Sequence, residues 1–496
     1  MKKIISTALP VFLLIAVIGC SKSGKSKSNL SESLADNDYN SLSPEDQYAV
    51  ANNLLGTLFK GIMAKDFFNL TAGVDDLEVS EGKNFISKTK TAVGTALEEK
   101  QSYLDTIDLK YYFDDVLYPQ QYPLAQLFEL PLSKDFFDYW MAYKLANTIL
   151  FSPAVELDTV SVTDSQKVLY RLYRMIRDDE SIRDIVYEHM ITQENWRRFR
   201  SPEDNTREMM EIFLARFIDA EVPMAAIACK NWHLTDDSQG YQLVIDFDEN
   251  TKSQNILDTS VTSCYDFYYA VSQHKKLIPN IIKTLVNHFF ANYSDAEKQS
   301  LADSFAAENP TTFRSLFLKI LFSRAYLLQN NRAKWYEETF FNIANRIQWI
   351  ADYNFFNYLV YRWNDGGLVK QMKQAVMAYK LGRKEVPLDS LSFAYYHKSV
   401  REDLLINQSG NSDDRGWPST FIDDVNLFGE DFIQYLFLSI VSRRPDEQEL
   451  AALKDVIQAR YPTTDDFNRI SRTAIAMIVM DYCSRLSELY YMRSVQ

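Results

Sequence analysis

The chain has 496 residues, 46 % of them apolar, which allows one large or two to three modest domains with a substantial core. Its formal charge of −14 argues against nucleic acid, whose binding rests on Lys and Arg contacts to phosphate, and against electrostatic adhesion to anionic lipid. Glycine is scarce, at 14 residues, and strict apolar alternation is nearly absent, so the pattern predicts a mainly α protein.

The amino terminus carries three successive signals. Lys2 and Lys3 give a positive start, and Ile4 to Ile18 form an uncharged apolar run. That run falls short of the roughly 20 residues a membrane-spanning helix needs and suits a signal-peptide core. It ends in Val17-Ile18-Gly19-Cys20, which resembles the lipobox of bacterial lipoprotein precursors. The resemblance implies a signal peptide over 1–19, cleavage before Cys20, diacylglycerol on that thiol and palmitate in the anchor. Ser21 stands where an aspartate commonly retains such proteins in the inner membrane, so an outer-membrane location is expected. Loss of Lys2 and Lys3 with the signal takes the formal charge to −16. Residues 20–42 are rich in Ser, Lys, Asn and Asp and predict a flexible lipidated tether.

Past the tether, helix-start signals recur. Ser43-Pro44-Glu45-Asp46 and Ser201-Pro202-Glu203-Asp204 each combine a capping hydroxyl, proline at the first helical position and acids at the positive helix end. Ser294 with Glu297 has capping-box spacing, Thr463 with Asp466 approximates it, and Pro445-Asp446-Glu447 opens another helix. Apolar residues follow at three- and four-residue steps, as in Ile281, Ile282, Leu285, Val286 and Phe289, and again in Phe313, Leu316, Phe317, Ile320 and Leu321. Thr235 to Ser263 interrupts the pattern with a strand-like run, Tyr241 to Phe247. The expected organisation is a multi-helix globular body: an N-terminal helical region over 43–234, a polar loop or small hairpin insertion over 235–263, a central helical region over 264–406 and a C-terminal one over 407–496. No apolar stretch after the signal reaches spanning length; Ala474 to Met480, between Arg472 and Asp481, is far too short.

Few residues suggest chemistry. Cys229 and His233, four apart, would share one helix face as metal ligands can, but no second Cys/His pair follows. Cys229, Cys264 and Cys483 are read as buried small hydrophobes, and an envelope setting permits one disulfide that sequence cannot pair. Asp246, Asp248 and Asn250 start like a calcium loop, yet Thr251 stands where glycine is needed and Leu257 where a bidentate glutamate is needed. No nucleophile elbow, phosphate-cradling loop or zinc-protease helix occurs. The chain thus offers no catalytic motif, calls for no metal or cofactor, and leans away from an enzyme. Aromatic clusters at Tyr265, Phe267, Tyr268 and Tyr269, and at Phe355, Phe356, Tyr358 and Tyr361, suit a core first and a sugar-binding surface second.

The segment Glu203-Asp204-Asn205-Thr206-Arg207-Glu208-Met209-Met210-Glu211-Ile212-Phe213 resembles the signature of an exported, largely helical bacterial family, domain of unknown function eighteen hundred. In that family a helix ending in tryptophan follows, as Asp219 to Trp232 does here. Phe317 to Tyr326 is similar to the family's helix ending in serine and an aromatic, and Gly416-Trp417-Pro418 to its late turn. Leu436 to Leu450, with Ser442-Arg443, Pro445, Glu449 and Leu450, looks like the tail of a related planctomycete group fused to cytochrome c. The signature is one residue short here and an acid replaces its first asparagine, so Asn205, Arg207, Glu208, Glu211 and Trp232 carry over only as family-like positions. Arg207 and Glu211, four apart, also suit a simple intrahelical pair, and Asn205 a helix start. The family has no assigned reaction. The sequence therefore points to a lipid-anchored envelope protein that serves as a scaffold for another exported protein, with polysaccharide binding or cleavage as the alternative.

Overall fold

Capping hydroxyls and carboxylates set the helix starts. Ser43 Oγ accepts from the Asp46 N–H (3.2 Å) ahead of helix Pro44–Thr57, and Ser201 Oγ from the Asp204 N–H (3.1 Å) ahead of Pro202–Leu214. Ser294 with Glu297 and Asp446 with Glu449 form reciprocal capping boxes for helices Asp295–Ala307 and Glu447–Arg460. Thr463 lies outside the described residues, and Asp466 itself caps the short turn Phe467–Arg469. The computed structural model describes residues 30–97, 127–150, 162–246, 252–349, 400–406 and 417–495, apart from 71–72, 129, 147, 200, 218, 238–239, 463 and 465.

The fold is mainly α. The apolar rows at three- and four-residue steps become buried stripes: Ile281, Ile282, Leu285, Val286 and Phe289 on helix Leu277–Phe289, and Phe313 to Leu321 on the helix of those bounds. Helix Gly429–Val441 is buried almost throughout and packs on Arg472–Cys483 and Tyr336–Arg346. One hydrophobic cluster runs from Leu34 to Val495. Among the described residues no helix is long and apolar enough to cross a membrane.

Strands appear where the helical pattern breaks. Trp232–Asp237 pairs antiparallel with Gly240–Ile245, and Gln254–Ile256 with Thr259–Val261. In the second hairpin Leu257 and Asp258 have φ of 53° and 61°, the doubly left-handed turn that matches strand twist. A further pair, Phe68–Asn69 with Glu78–Val79, is too short to show in the sequence pattern.

Two expectations need correction. The tether does not extend to residue 42: Leu34 N–H donates to Phe322 O (2.8 Å), Arg324 N–H to Glu32 O (2.8 Å), and Leu34 and Tyr39 are buried. Residues 30–34 therefore strap onto the body through backbone pairing that composition does not reveal, and Asp36 follows by accepting from the Ile86 and Ser87 N–H groups; residues 20–29 lie outside the described residues. The helix expected to end in Trp232 instead ends at Ala228, and Trp232 opens a strand. Cys229 and His233 consequently share no helix face.

Buried and half-buried arginines recur at helix ends. Arg346 donates to Leu438 O (2.8 Å) and Ile440 O (3.1 Å) in the last turn of Gly429–Val441, and to Ser442 Oγ (3.0 Å). Arg183 donates to Ser272 O and His274 O, and Arg314 to Ile176 O. Terminal carbonyls lack intrahelical partners and carry partial negative charge, so a guanidinium finds acceptors there, beside carboxylates in the case of Arg314, which also pairs with Asp138 and Asp179.

Candidate functional site

The family-like positions lie on and around helix Pro202–Leu214 and face different ways. Asn205 is fully buried, and its Oδ1 accepts from Tyr268 Oη (2.7 Å) on helix Cys264–Gln273. Its Nδ2 is buried without an acceptor among the described residues. Asn205 thus braces two helices; the helix start belongs to Ser201. Arg207 is exposed, Glu208 and Glu211 are half-buried, and among the described residues no ion pair joins Arg207 to Glu211. Trp232 is 1 % exposed and touches Trp196 (ring centroids 5.4 Å), Tyr265 (4.8 Å) and Tyr268 (5.9 Å). Asn205 and Trp232 therefore meet through Tyr268, and the charged positions do not join them.

A disulfide, Cys229–Cys264, ties the end of helix Val222–Ala228 to the start of Cys264–Gln273 and closes the segment bearing both hairpins. All three cysteines are buried, as expected, and the pairing left open by the sequence is Cys229 with Cys264; Cys483 is free. The bridge also removes Cys229 as a metal ligand. His233 instead pairs with Asp246 across the hairpin (3.4 Å). Among the described residues no group of three or more His, Cys, Asp or Glu could hold a metal ion.

Around this unit large apolar side chains face outward. Of the eight such residues described as exposed, five fall between 217 and 269: Phe217 (74 %), Ile227, Ile245, Tyr265 and Tyr269 (60 %). Ile245 stands opposite Trp232 in the hairpin, and paired residues share a sheet face, so Ile245 borders the Trp232–Tyr265 contact. The helices bearing Phe217's neighbour segment, Ile227 and Tyr265 pack on one another. Glu203, Asp204, Asp219, Asp258 and Asp266 are exposed on the same segments, as are Arg207, Lys230, Lys252, Lys275 and Lys276, giving a surround of mixed charge.

Elsewhere a cleft of about 430 Å³ opens between the turn after Pro44–Thr57, the end of Tyr336–Arg346 and the start of Ser419–Ile422. Ile62, Met63, Phe128 and Trp349 supply apolar walls, and Asp66, Asn345, Gln348, Ser419 and Thr420 polar ones. Gly61 shapes its edge: a Cβ there would lie 2.6 Å from Asn342 O, so only glycine lets the two segments approach this closely. Pro418, from the family-like late turn, also lines it, while Gly416 lies outside the described residues.

A third cluster is charged but sealed. Arg332 donates twice to Glu338 (2.8 and 2.9 Å) and once to Tyr326 Oη (2.9 Å), which is 2.6 Å from Thr57 Oγ1. Lys144 lies 3.6 Å from Glu338, and Tyr143 donates to Glu337 (3.1 Å). Arg332 and Lys144 hold the Glu338 carboxyl below the usual range, whereas burial pushes that of Glu337 up. His288, stacked on Trp335, is kept neutral by burial first and by Lys144 and Arg332 second. Carboxyls pushed apart in this way suit acid–base work, yet Glu337 and Glu338 are 5 % and 1 % exposed and the cleft does not reach them. Sequence reasoning overlooked this group. Its trace is four charges in seven positions, Arg332 to Glu338, beside the buried pair Phe340 and Phe341.

The tail motif also acquires a structural role. Arg443 clamps Glu449 with two hydrogen bonds (2.6 and 2.9 Å) and reaches Glu488 (2.9 Å). Cys20 and the aromatics Phe355, Phe356, Tyr358 and Tyr361 lie outside the described residues. Comparison of the chain with protein-family models, with curated proteins and with solved structures finds no match.

Proposed function

We propose that this chain is a lipid-anchored envelope protein, held to the outer membrane through Cys20, whose helical body docks another exported protein. The carrying observation is the concentration of exposed Phe217, Ile227, Ile245, Tyr265 and Tyr269 within the segment closed by the Cys229–Cys264 disulfide and on its two flanks. Apolar patches with a polar surround mark protein–protein surfaces. The charged side chains of both signs around them favour a partner with an apolar centre in a charged rim. The Lys2–Cys20 pattern supports the anchor, and the Cys229–Cys264 bridge suits an oxidising compartment outside the cytoplasm. The resemblance to the exported helical family supports the same location and brings no reaction with it.

The test is cross-linking with mass spectrometry on tagged protein from detergent-solubilised envelopes, beside metabolic fatty-acid labelling. One stoichiometric exported partner, cross-linked within residues 201–276, is expected. Phe217→Asp with Tyr269→Asp should abolish its capture, and Cys20→Ala should abolish the label. Purification of the protein alone would remove the docking reading, and persistent labelling of Cys20→Ala would remove the anchor.

A further inference from the structure

We infer that the cleft between Gly61, Trp349 and Thr420 is a binding site for an uncharged saccharide; this rests on the cleft alone and is independent of the docking surface. Three observations converge. The first is the composition of the walls: Phe128 and Trp349, near-perpendicular with ring centroids 6.4 Å apart, form an apolar side, and a carboxylate, two amides and two hydroxyls form the other. Sugars present apolar C–H faces together with dense hydroxyls, and so need both kinds of wall in one place. The cleft's volume of about 430 Å³ lies within the usual range for small-molecule sites.

The second observation is that the polar groups are unspent. Among the described residues the side chains of Asp66, Gln348, Ser419 and Thr420 have no hydrogen-bond or ion-pair partner, although four such groups line one cleft. A carboxylate accepts two hydroxyls at once, and an amide both donates to and accepts from a vicinal pair. The charge balance narrows the class: among the described residues Asp66 is the one acidic side chain of the lining, and no Lys, Arg or His joins it. Phosphate, sulfate and uronate groups would find no counter-charge and one like charge.

The third is backbone strain at the rim. Gln348 has φ of +49° where the chain leaves helix Tyr336–Arg346, a helix-end position that favours glycine. At the corresponding end of Pro44–Thr57, Phe59 accepts the same conformation (φ 54°), but its ring is buried against Trp140, Tyr143 and Phe341. Gln348 is exposed and has no such packing to repay the strain. Its retained feature is the amide over the cleft.

The experiment uses the full chain in detergent, titrated with maltotriose, cellotriose, xylotriose and mannotriose and followed by tryptophan fluorescence and calorimetry. At least one should saturate at about 1 mM or below, and trigalacturonate should not bind. Asp66→Ala should weaken the bound saccharide about tenfold or more, the loss expected for a charged hydrogen-bond partner. Gln348→Gly supplies the discriminating readout: it should raise Tm by relieving the strain and still weaken binding. A raised Tm with unchanged affinity would make Gln348 merely structural and overturn the assignment. So would tight trigalacturonate binding, or four flat titrations.

Discussion

Asn205 shows what a family-like residue does when it points inward. The Tyr268 hydroxyl has its hydrogen bond to Asn205 Oδ1 in a site with no solvent access. Asn205→Ala should therefore cost about 2 kcal/mol, mainly because Tyr268 Oη loses its acceptor in the interior. Tyr268→Phe in the same background should return part of that loss, and denaturant unfolding of the four proteins of the cycle measures it. Strict additivity would separate the two residues. The side chain's type and helix position were legible in the sequence, but its direction was not: its acceptor role depends on a residue 63 positions away. Cys229 and Cys264 make the same point. Each was correctly read as buried, and only the meeting of two helices shows that they are partners.

At the scale of elements, the disulfide closes a loop with a sequence separation of 35. Within that loop two short hairpins bury few side chains; Ile256, Leu257 and Val261 are among them. Chain-entropy reasoning gives such a closure about 3–4 kcal/mol. Replacing both cysteines by serine should thus lower Tm by several degrees and raise amide exchange first in Trp232–Ile245. Unchanged exchange there would show that the hairpins hold without the bridge. Helix starts were the most legible elements, because Ser43, Ser201, Ser294 and Asp446 act within three residues of themselves. The strap at residues 30–34 was the least legible, since a polar composition hides backbone pairing with residues 322–325. The cleft was illegible for a related reason: its walls come from turns near residues 61, 348 and 419, and no local pattern joins them.

Across the whole molecule, buried lysines give stability an unusual dependence on pH. Lys60 donates to Leu127 O (2.7 Å) and Phe128 O (2.9 Å), and burial lowers its pKa from 10.5 to about 7. Lys334, held by Glu488 O and Leu489 O, is likewise lowered to about 7, by burial first and by Arg346 second. Between pH 7 and 10.5 the unfolded chain binds more protons at these lysines than the folded one. Their contribution to stability therefore rises with pH across that window and is lost as pH falls through 7. Relative to Lys60→Met, the wild-type protein should gain stability from pH 7 to 10, with a slope approaching about 1.4 kcal/mol per pH unit. Urea titrations of both proteins at four pH values measure the difference. A constant difference would mean that the ammonium stays protonated throughout.

Both ends of the described chain fasten to one central seam. Residues 30–34 pair with 322–325, and Tyr490, Met492 and Val495 hydrogen-bond to Lys334, Arg332 and Leu328. A chain emerging amino end first thus carries its first segment unpaired until some 290 residues have followed. The last pairing waits for residue 495. Until then the apolar stripes of the middle helices lack their covering segments, so the growing chain carries exposed apolar surface to its last residues, and even a short carboxy-terminal truncation would leave the seam open.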